Sequence, residues 1–156
     1  ALIWDQLEAA GVPDVKGVWS EPNIAHGYLW LVVSIKQRYP GHAKQAALIA
    51  SQCDAAAYAG RFVIVVDEDI DPSNIMDVLW AMCTRADPER SIDIIRRCCS
   101  GPLDTALPPE KRGFNSHAII DACRPYEWMK DFPAVVGVSP PLRERVIEKW
   151  GPIMFG

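Results

Sequence analysis

The chain has 156 residues, of which 49% are hydrophobic and 23% are charged, and its formal net charge is −4. This balance is typical of a folded globular protein and excludes a largely disordered chain. Acidic and basic residues are interspersed without a basic stripe, which argues against nucleic acid as a partner. The longest apolar run, residues 28–33, is far shorter than the roughly 20 residues that cross a bilayer, so we expect no membrane contact.

The start of the chain and its cysteines both favour a cytoplasmic protein. The first residues contain no basic segment followed by a cleavage signal, so no targeting peptide is predicted. The five cysteines are odd in number and form no Cys-x-x-Cys pair, which predicts reduced and mostly buried thiols. The three histidines stand apart from one another, so no zinc site is expected.

The first sixty residues predict two helices and two strands. Apolar positions at helical spacing predict a helix over residues 2–10, before a glycine. Aromatic and β-branched residues predict strands over residues 15–20 and 28–36. A wide apolar stripe with small residues predicts a long helix over residues 40–58, ended by Gly60.

The rest of the chain continues this alternation. An uninterrupted apolar run over residues 62–66 predicts a strand covered on both faces. Asp71 is expected to cap the next helix, with Pro72 at its first position and Pro88 as its stop. Later elements are predicted as strands over residues 92–95 and 118–121, a loop over residues 100–116 and a helix over residues 142–150. Together these elements predict an α/β fold, a three-layer α/β/α sandwich with a mixed sheet, formed as a single domain by residues 1–156.

The acidic segment after the third strand is the first candidate for chemistry. Ligands of α/β proteins bind at the carboxyl ends of strands, and closely spaced carboxylates there could hold Mg²⁺. The pattern strand-Asp-x-Asp also resembles the opening motif of haloacid-dehalogenase-type phosphatases, with Asp67 as nucleophile and Asp69 as acid and base. Asp71 stands where that family has Thr or Val. The alternative is a polar strand-to-helix loop with a capping acid.

Three loops are further candidates, and each is also compatible with an ordinary surface segment. Residues 39–44 lie at a strand-to-helix transition, where backbone N–H groups could meet an anion. His26 precedes a glycine and a strand, and could bind or protonate a substrate. Residues 101–109 form a proline-bearing loop after a strand, which could be a lid or a pocket wall.

Several of these segments, in this order, resemble the C-terminal domain of the UbiD-type decarboxylases, which are prenylated-flavin enzymes. The resemblance covers roughly residues 12–150. It depends on the following segments: residues 39–44 (Tyr-Pro-Gly-His-Ala-Lys), residues 62–71, residues 77–88 (with Asp-Val-Leu-Trp-Ala and Thr-Arg-Ala-Asp-Pro), Leu103-Asp104, the loop at Gly113 and residues 119–122.

The resemblance implies reversible, non-oxidative decarboxylation of an aromatic, heteroaromatic or α,β-unsaturated acid with prenylated FMN, Mn²⁺ and K⁺. In such enzymes these groups and a Glu-Arg-Glu catalytic trio lie in a preceding flavin-binding domain, which no segment here matches. We therefore expect no catalytic residue and no metal ligand in this chain, and no activity from it alone. It would be one domain of a longer, homo-oligomeric enzyme. The alternative is a stand-alone α/β module that binds a ligand or partner without catalysis.

In these enzymes the C-terminal domain supplies the far wall of the substrate pocket and contacts between subunits. By the resemblance, His26 would hydrogen-bond a heteroatom or phenol of the substrate, and Pro102 and Leu103 would press on its apolar face. The complete set expected to bind substrate is His26, Tyr28, Pro102 and Leu103. Lys44 is the candidate for contact with the cofactor. The last helix and the tail, with Trp150 and Phe155, would reach a neighbouring subunit.

Overall fold

Five strands and five α-helices form in the part of the chain that the computed structural model describes, which is residues 2–24, 27, 29–58, 60–101, 104–111 and 113–154. The helices are α1 (Leu2–Ala9), α2 (His42–Gln52), α3 (Ile75–Arg85), α4 (Pro88–Ser91) and α5 (Pro140–Met154). The strands are β1 (Val15–Ser20), β2 (Trp30–Ile35), β3 (Phe62–Asp67), β4 (Ile92–Cys99) and β5 (Phe114–Asp121). Short 3₁₀ helices cover Asp54–Ala56, Pro109–Lys111 and Tyr126–Trp128.

The strands form one mixed sheet in the order β1-β2-β3-β5-β4. The central strands β2, β3 and β5 run parallel, whereas β1 and β4 are antiparallel to their neighbours. Val33, Val65 and Asp121 lie side by side across the central strands. The carboxyl ends of these three strands therefore meet at one edge of the sheet, here called the carboxyl edge, and their amino ends meet at the opposite amino edge.

Helices cover both faces of the sheet, as the apolar β3 strand predicts. Val63 and Val65 pack in one core with Leu7 of α1 and the alanines of α2. Ile64 and Val66 point to the other face and pack in a second core with α3. All four β3 side chains are fully buried. The expected three-layer α/β/α sandwich with a mixed sheet is confirmed.

Part of the face that α3 covers is left open towards the amino edge. Trp30, Phe62, Ala118 and Ile94 are neighbours across β2, β3, β5 and β4. Phe62 and Ile94 are exposed, because the α3 core lies one row farther along, around Ile64. We call these four residues the apolar row.

Both edge strands carry one residue more than their pairing partners. In β1 the register skips Lys16, and in β4 it skips Arg97. Arg97 has a φ of 63°, in the left-handed region that L side chains rarely adopt. Such β-bulges bend a strand and increase its local twist.

Some predicted bounds are wrong where turns and strand pairing outweigh periodicity. α2 ends at Gln52, before the 3₁₀ turn, although its apolar stripe continues to residue 58. β5 begins at Phe114, inside the predicted loop, because it pairs with the second half of β4 as far as Cys99. α5 continues to Met154, four residues past its predicted end.

The N-cap of α3 is Asn74, and the prediction of Asp71 is wrong. The Asn74 side chain accepts the backbone N–H of Met76 at 3.1 Å, which satisfies a free donor of the first turn. Asp71 instead accepts the N–H and the hydroxyl of Ser73, at 2.9 and 2.7 Å. It closes a turn that begins four residues before the helix. Both residue types are good caps, so the sequence pattern does not separate them.

Replacing Asn74 with alanine should lower the free energy of unfolding by about 1 kcal/mol, because the Met76 N–H then loses its partner. Asp71→Ala is the matched control, since it removes an acid from the same loop without uncapping the helix. Its loss should stay within roughly 0.5 kcal/mol. Urea unfolding followed by circular dichroism measures both, and equal losses would contradict the assignment of the cap.

All five cysteines are free, but the expectation that most are buried is wrong. Cys98 and Cys123 are buried, whereas Cys83 and Cys99 are exposed. Among the described residues, no helix combines the length and the apolar character needed to cross a membrane.

Candidate functional site

Ion pairs fill the carboxyl edge of the sheet. Asp67, the last residue of β3, has a side chain that is only 3% exposed. Its Oδ2 lies 3.0 Å from Arg85 Nη1 and 3.0 Å from Arg124 Nε, and it also accepts the Arg124 backbone N–H at 2.8 Å. Gln37 donates to the other oxygen at 2.8 Å. Both oxygens of this carboxylate are therefore occupied by protein donors.

Arg85, the last residue of α3, joins Asp67 to Asp69. Its two terminal nitrogens donate to the two oxygens of Asp69 at 2.9 and 2.8 Å, a bidentate pair. The guanidinium holds the pKa of Asp69 below its usual value. Because the Arg85 side chain is 1% exposed, these carboxylates neutralise a charge that water hardly reaches.

This geometry favours the structural interpretation of the acidic segment. A phosphatase nucleophile needs a carboxylate oxygen that a substrate can approach, whereas both oxygens of Asp67 are enclosed by donors. Within the described ranges, no three His, Cys, Asp or Glu side chains gather into a set that could hold a metal ion. The acids Asp67 and Asp69 therefore fasten the end of β3 to α3 and to Arg124.

A cavity of about 270 Å³ lies beside these ion pairs. The Arg85 guanidinium stands 5.2 Å from the centre of the Trp80 ring, a cation–π contact. The two arginines of the wall already face Asp67 and Asp69, so they bring no net positive charge to the cavity. Its lining consists of Asp69, Trp80, Thr84, Arg85, Arg124 and residues 132–136.

The amino edge, at the other end of the sheet, brings three chain segments together. The Phe62 N–H donates to the Leu29 carbonyl at 3.0 Å, which joins the start of β3 to the segment before β2. The Ala118 N–H donates to the Arg61 carbonyl at 2.8 Å, which joins β5 to the same segment. The Arg61 side chain forms an ion pair with Asp104 in the β4–β5 loop. We call these segments, residues 21–29, 57–61 and 100–113, the amino-edge loops.

Asp104 is the centre of a polar cluster in the last of these loops. Its side chain is 4% exposed. Oδ2 accepts hydrogen bonds from Ser100 Oγ at 2.8 Å and Asn115 Nδ2 at 2.9 Å, and Oδ1 accepts the Ala106 N–H at 3.0 Å. The Arg61 guanidinium and the other donors hold the pKa of Asp104 well below its usual range, and Arg61 has the largest effect. One carboxylate thus fixes the loop, the strand after it and the segment before β3.

The residues expected to bind substrate all lie outside the described part of the chain: His26, Tyr28, Pro102 and Leu103. Of the described residues that follow them, Leu29 accepts the N–H of Phe62 at the start of β3, and Asp104 pairs with Arg61 just before that strand. The described ends of both segments therefore lie at the amino edge. Asp67 lies at the far end of β3, about 17 Å from Phe62 along the six-residue strand.

The segment Tyr-Pro-Gly-His-Ala-Lys forms the start of α2. Gly41 is its N-cap, with a φ of 81° that favours glycine. His42 is buried, and its ring centre lies 4.6 Å from that of Tyr39. Burial lowers the pKa of its imidazole. Lys44 pairs with Asp93 at 2.7 Å on the surface. The His42 ring also accepts the Arg38 N–H at 3.3 Å, and the contact of Lys44 with a cofactor stays a prediction.

Sequence reasoning missed three partners of Asp104, namely Arg61, Ser100 and Asn115. Ser100 lies four residues before Asp104 in the same loop, whereas Arg61 and Asn115 come from the segment before β3 and the start of β5. The sheet order brings these two residues to Asp104, and no spacing in the sequence links them. The one available signal is Asp104 itself, an acid in a proline-rich loop next to a predicted pocket residue.

Residues 1–122 match the family model described as 3-octaprenyl-4-hydroxybenzoate carboxy-lyase C-terminal domain. A phenolic acid decarboxylase of Sedimentibacter hydroxybenzoicus is 38% identical to the chain over 123 residues. That match covers 79% of this chain and 24% of the relative. The chain thus spans about a quarter of the length of this curated relative.

Solved structures agree with this match. The UbiD-class enzyme HmfF from Pelotomaculum thermopropionicum, in complex with FMN, superposes with a TM-score of 0.78 and 25% identity, over 92% of this chain and 30% of that one. The vanillic acid decarboxylase of Sedimentibacter hydroxybenzoicus in its closed form superposes with a TM-score of 0.74 and 31% identity, over 99% of this chain and 31% of that one.

Proposed function

The chain belongs to the family of the 3-octaprenyl-4-hydroxybenzoate carboxy-lyase C-terminal domain, within the UbiD class, and on this premise we propose that it is the substrate-side domain of a longer decarboxylase. The reaction is the reversible, non-oxidative loss of CO₂ from an aromatic, heteroaromatic or α,β-unsaturated acid. The relatives are named for phenolic and vanillic acids, which favours a phenolic acid as the substrate.

The observation that carries this proposal is the meeting of the amino-edge loops. Two of them hold the residues expected to form the pocket wall. In the third, Arg61 pairs with Asp104, and the residue after it, Phe62 at the start of β3, donates its N–H to Leu29. The apolar row beside this edge is partly exposed, as expected of a surface that faces another domain. His26 would donate to or accept from a phenol oxygen, and Leu103 would contact the ring.

We assign prenylated FMN, Mn²⁺ and K⁺ to the flavin-binding domain of the longer protein. When bound, the prenylated flavin supplies the electron sink for the loss of CO₂. The described residues of this chain do not form a site for a metal ion. The role of this chain is to bind and orient the acid and to keep water from the reacting carbon, so no turnover is expected from it alone.

We further propose that α5 holds the domain to a neighbouring subunit of a homo-oligomer. Five apolar side chains of this helix are between 44% and 75% exposed: Leu142, Val146, Ile147, Trp150 and Ile153. Their spacing places them on one side of the helix. An isolated helix of 15 residues is marginally stable in water, so this stripe needs a covering partner. Phe155, expected to join it, lies outside the described residues.

Replacing His26 with alanine in the complete enzyme should lower kcat/KM for a phenolic acid by about tenfold. This is the effect of losing one hydrogen bond to the phenol oxygen. Steady-state kinetics with 4-hydroxybenzoic acid and with benzoic acid separates the loss of this hydrogen bond from other effects of the substitution, because only the first acid carries a phenol group. The flavin absorbance should stay unchanged. Unaltered kinetics with every acid would remove His26 from the pocket wall.

A further inference from the structure

We propose that His42 is an acid-sensitive switch that holds the β2–α2 loop, residues 36–41, closed against the carboxyl edge. The closing contact is the hydrogen bond that the backbone N–H of Arg38 donates to Nδ1 of the His42 ring, at 3.3 Å. A proton on Nδ1 removes this acceptor and releases the loop. The switch is independent of the proposed function, because it needs no ligand.

The hydrogen bond from Arg38 determines where the ring proton of His42 lies. A neutral imidazole has one N–H and one acceptor nitrogen. Since Nδ1 accepts the Arg38 N–H, the ring proton lies on Nε2. His42 is fully buried, and its Nε2 has no hydrogen-bond partner among the described residues. Protonation therefore adds a donor at Nδ1, and this donor faces the Arg38 N–H.

The surroundings of His42 compensate a positive charge poorly. His42 is the first residue of α2, so the charge would lie at the positive end of the helix dipole. Asp14, before β1, already pairs with Arg38 and Lys16. Burial has the largest effect on the pKa of His42 and lowers it, as Arg38 does, whereas the Pro13 carbonyl and Asp14 raise it by less.

The β2–α2 loop also joins other parts of the carboxyl edge. The Gln37 side chain donates to Asp67, at the end of β3, at 2.8 Å and to the Arg124 carbonyl at 2.9 Å. The Arg38 carbonyl accepts the Tyr126 hydroxyl at 2.9 Å. Release of the loop therefore loosens its contacts with β3 and with the segment after β5, as well as the start of α2.

The loop should open as the pH falls. In the closed state the pKa of His42 lies below that of a free imidazole, so opening takes up a proton. The closed state keeps its full stability above about pH 6.5, the pKa of the free group, and loses it as the pH falls from there to the lower pKa of the closed state. Each pH unit in this interval multiplies the open fraction by up to about tenfold.

Amide hydrogen exchange of the complete enzyme, followed by mass spectrometry of its peptides, measures the opening. Labelling at about pH 7.5 and about pH 5.5 brackets the pKa of the free imidazole, and the rates are corrected for the intrinsic pH dependence of exchange. The protection of residues 36–44 should fall by about threefold to tenfold at the lower pH. The protection of residues 75–82, in α3, should change by less than about twofold.

Two variants separate His42 from other groups that titrate. His42→Asn places an amide oxygen near the position of Nδ1, where it can accept the Arg38 N–H, but the amide takes up no proton. It should remove the pH dependence of protection in residues 36–44. His117→Asn is the matched control, because it removes a second buried histidine, whose Nδ1 lies 3.2 Å from the Ser51 carbonyl near the other end of α2. It should leave that pH dependence in place.

Three results would overturn the switch. The first is equal protection of residues 36–44 at the two pH values in the unsubstituted enzyme. The second is an equal fall in residues 75–82, which would mean global acid unfolding. The third is a fall that persists in folded His42→Asn. If that variant does not fold, His42→Gln replaces it, since its longer amide side chain fills more of the ring volume and also takes up no proton.

Discussion

Replacing Arg85 with methionine should lower the free energy of unfolding by about 3–5 kcal/mol, the cost of removing one partner from a buried ion pair. The substitution leaves Asp67, which is 3% exposed, with Arg124 as its one charged partner beside the Gln37 amide, and it removes the bidentate partner of Asp69. Methionine fills much of the volume, so the loss comes mainly from the weaker compensation of the buried Asp67 carboxylate. Urea unfolding of the chain measures it.

Two controls show whether burial is the cause. Lys36→Met breaks an exposed pair with Glu68, whose members are 48% and 42% exposed, and should cost less than about 1 kcal/mol. Arg85→Lys keeps the charge but not the planar fork, and its loss should fall between the two. A loss below about 1 kcal/mol for Arg85→Met would mean that the carboxyl edge is solvated, against the observed burial.

Truncation before Pro140 should weaken the self-association of the complete enzyme. The removed helix carries the exposed stripe around Val146 and Trp150, and a buried aromatic anchor of this kind is worth about 2 kcal/mol or more at an interface. Sedimentation velocity across a dilution series follows the mass. An unchanged mass would exclude α5 from the subunit contact.

Single substitutions in α5 make this prediction independent of the truncation. Trp150→Glu places a charge in the stripe and should raise the dissociation constant by about 30-fold or more. Glu148→Lys changes a charge on the opposite side of the helix, by its spacing from Trp150, and should leave the constant within about threefold. Equal increases in the dissociation constant for the two variants would indicate an effect of the altered net charge rather than a contact through the exposed stripe.

The fold was predictable because its central strand β3 is an uninterrupted run of apolar residues. An apolar run such as β3 has to be covered on both faces, which requires a layered sheet. The bounds of the elements were less predictable. The end of α2 depends on a turn, and the start of β5 depends on its pairing with β4. The choice between Asp71 and Asn74 as the cap depends on which residue meets a free N–H, and composition does not reveal that.

The candidate site was harder to predict, because its partners are distant in the sequence. The acids after β3 attracted attention as ligands or as a nucleophile, since nothing local shows that Arg85 and Arg124 would enclose them. Two loops of the amino edge were predicted to form a pocket wall, but the pair of Arg61 and Asp104 was not predicted, because these residues meet only through the order of the strands. The motif around Lys44 carried the family resemblance, and its buried His42 packs against Tyr39 and accepts the Arg38 N–H.

The two bulged edge strands also limit how this domain can assemble. A strand from another chain adds to a sheet only where the edge offers free N–H and C=O groups in an even row. Lys16 and Arg97 interrupt that row on the two outer strands, and each adds a positive charge there. The bulges therefore hinder the edge-to-edge pairing by which the sheets of separate copies would otherwise join into fibres.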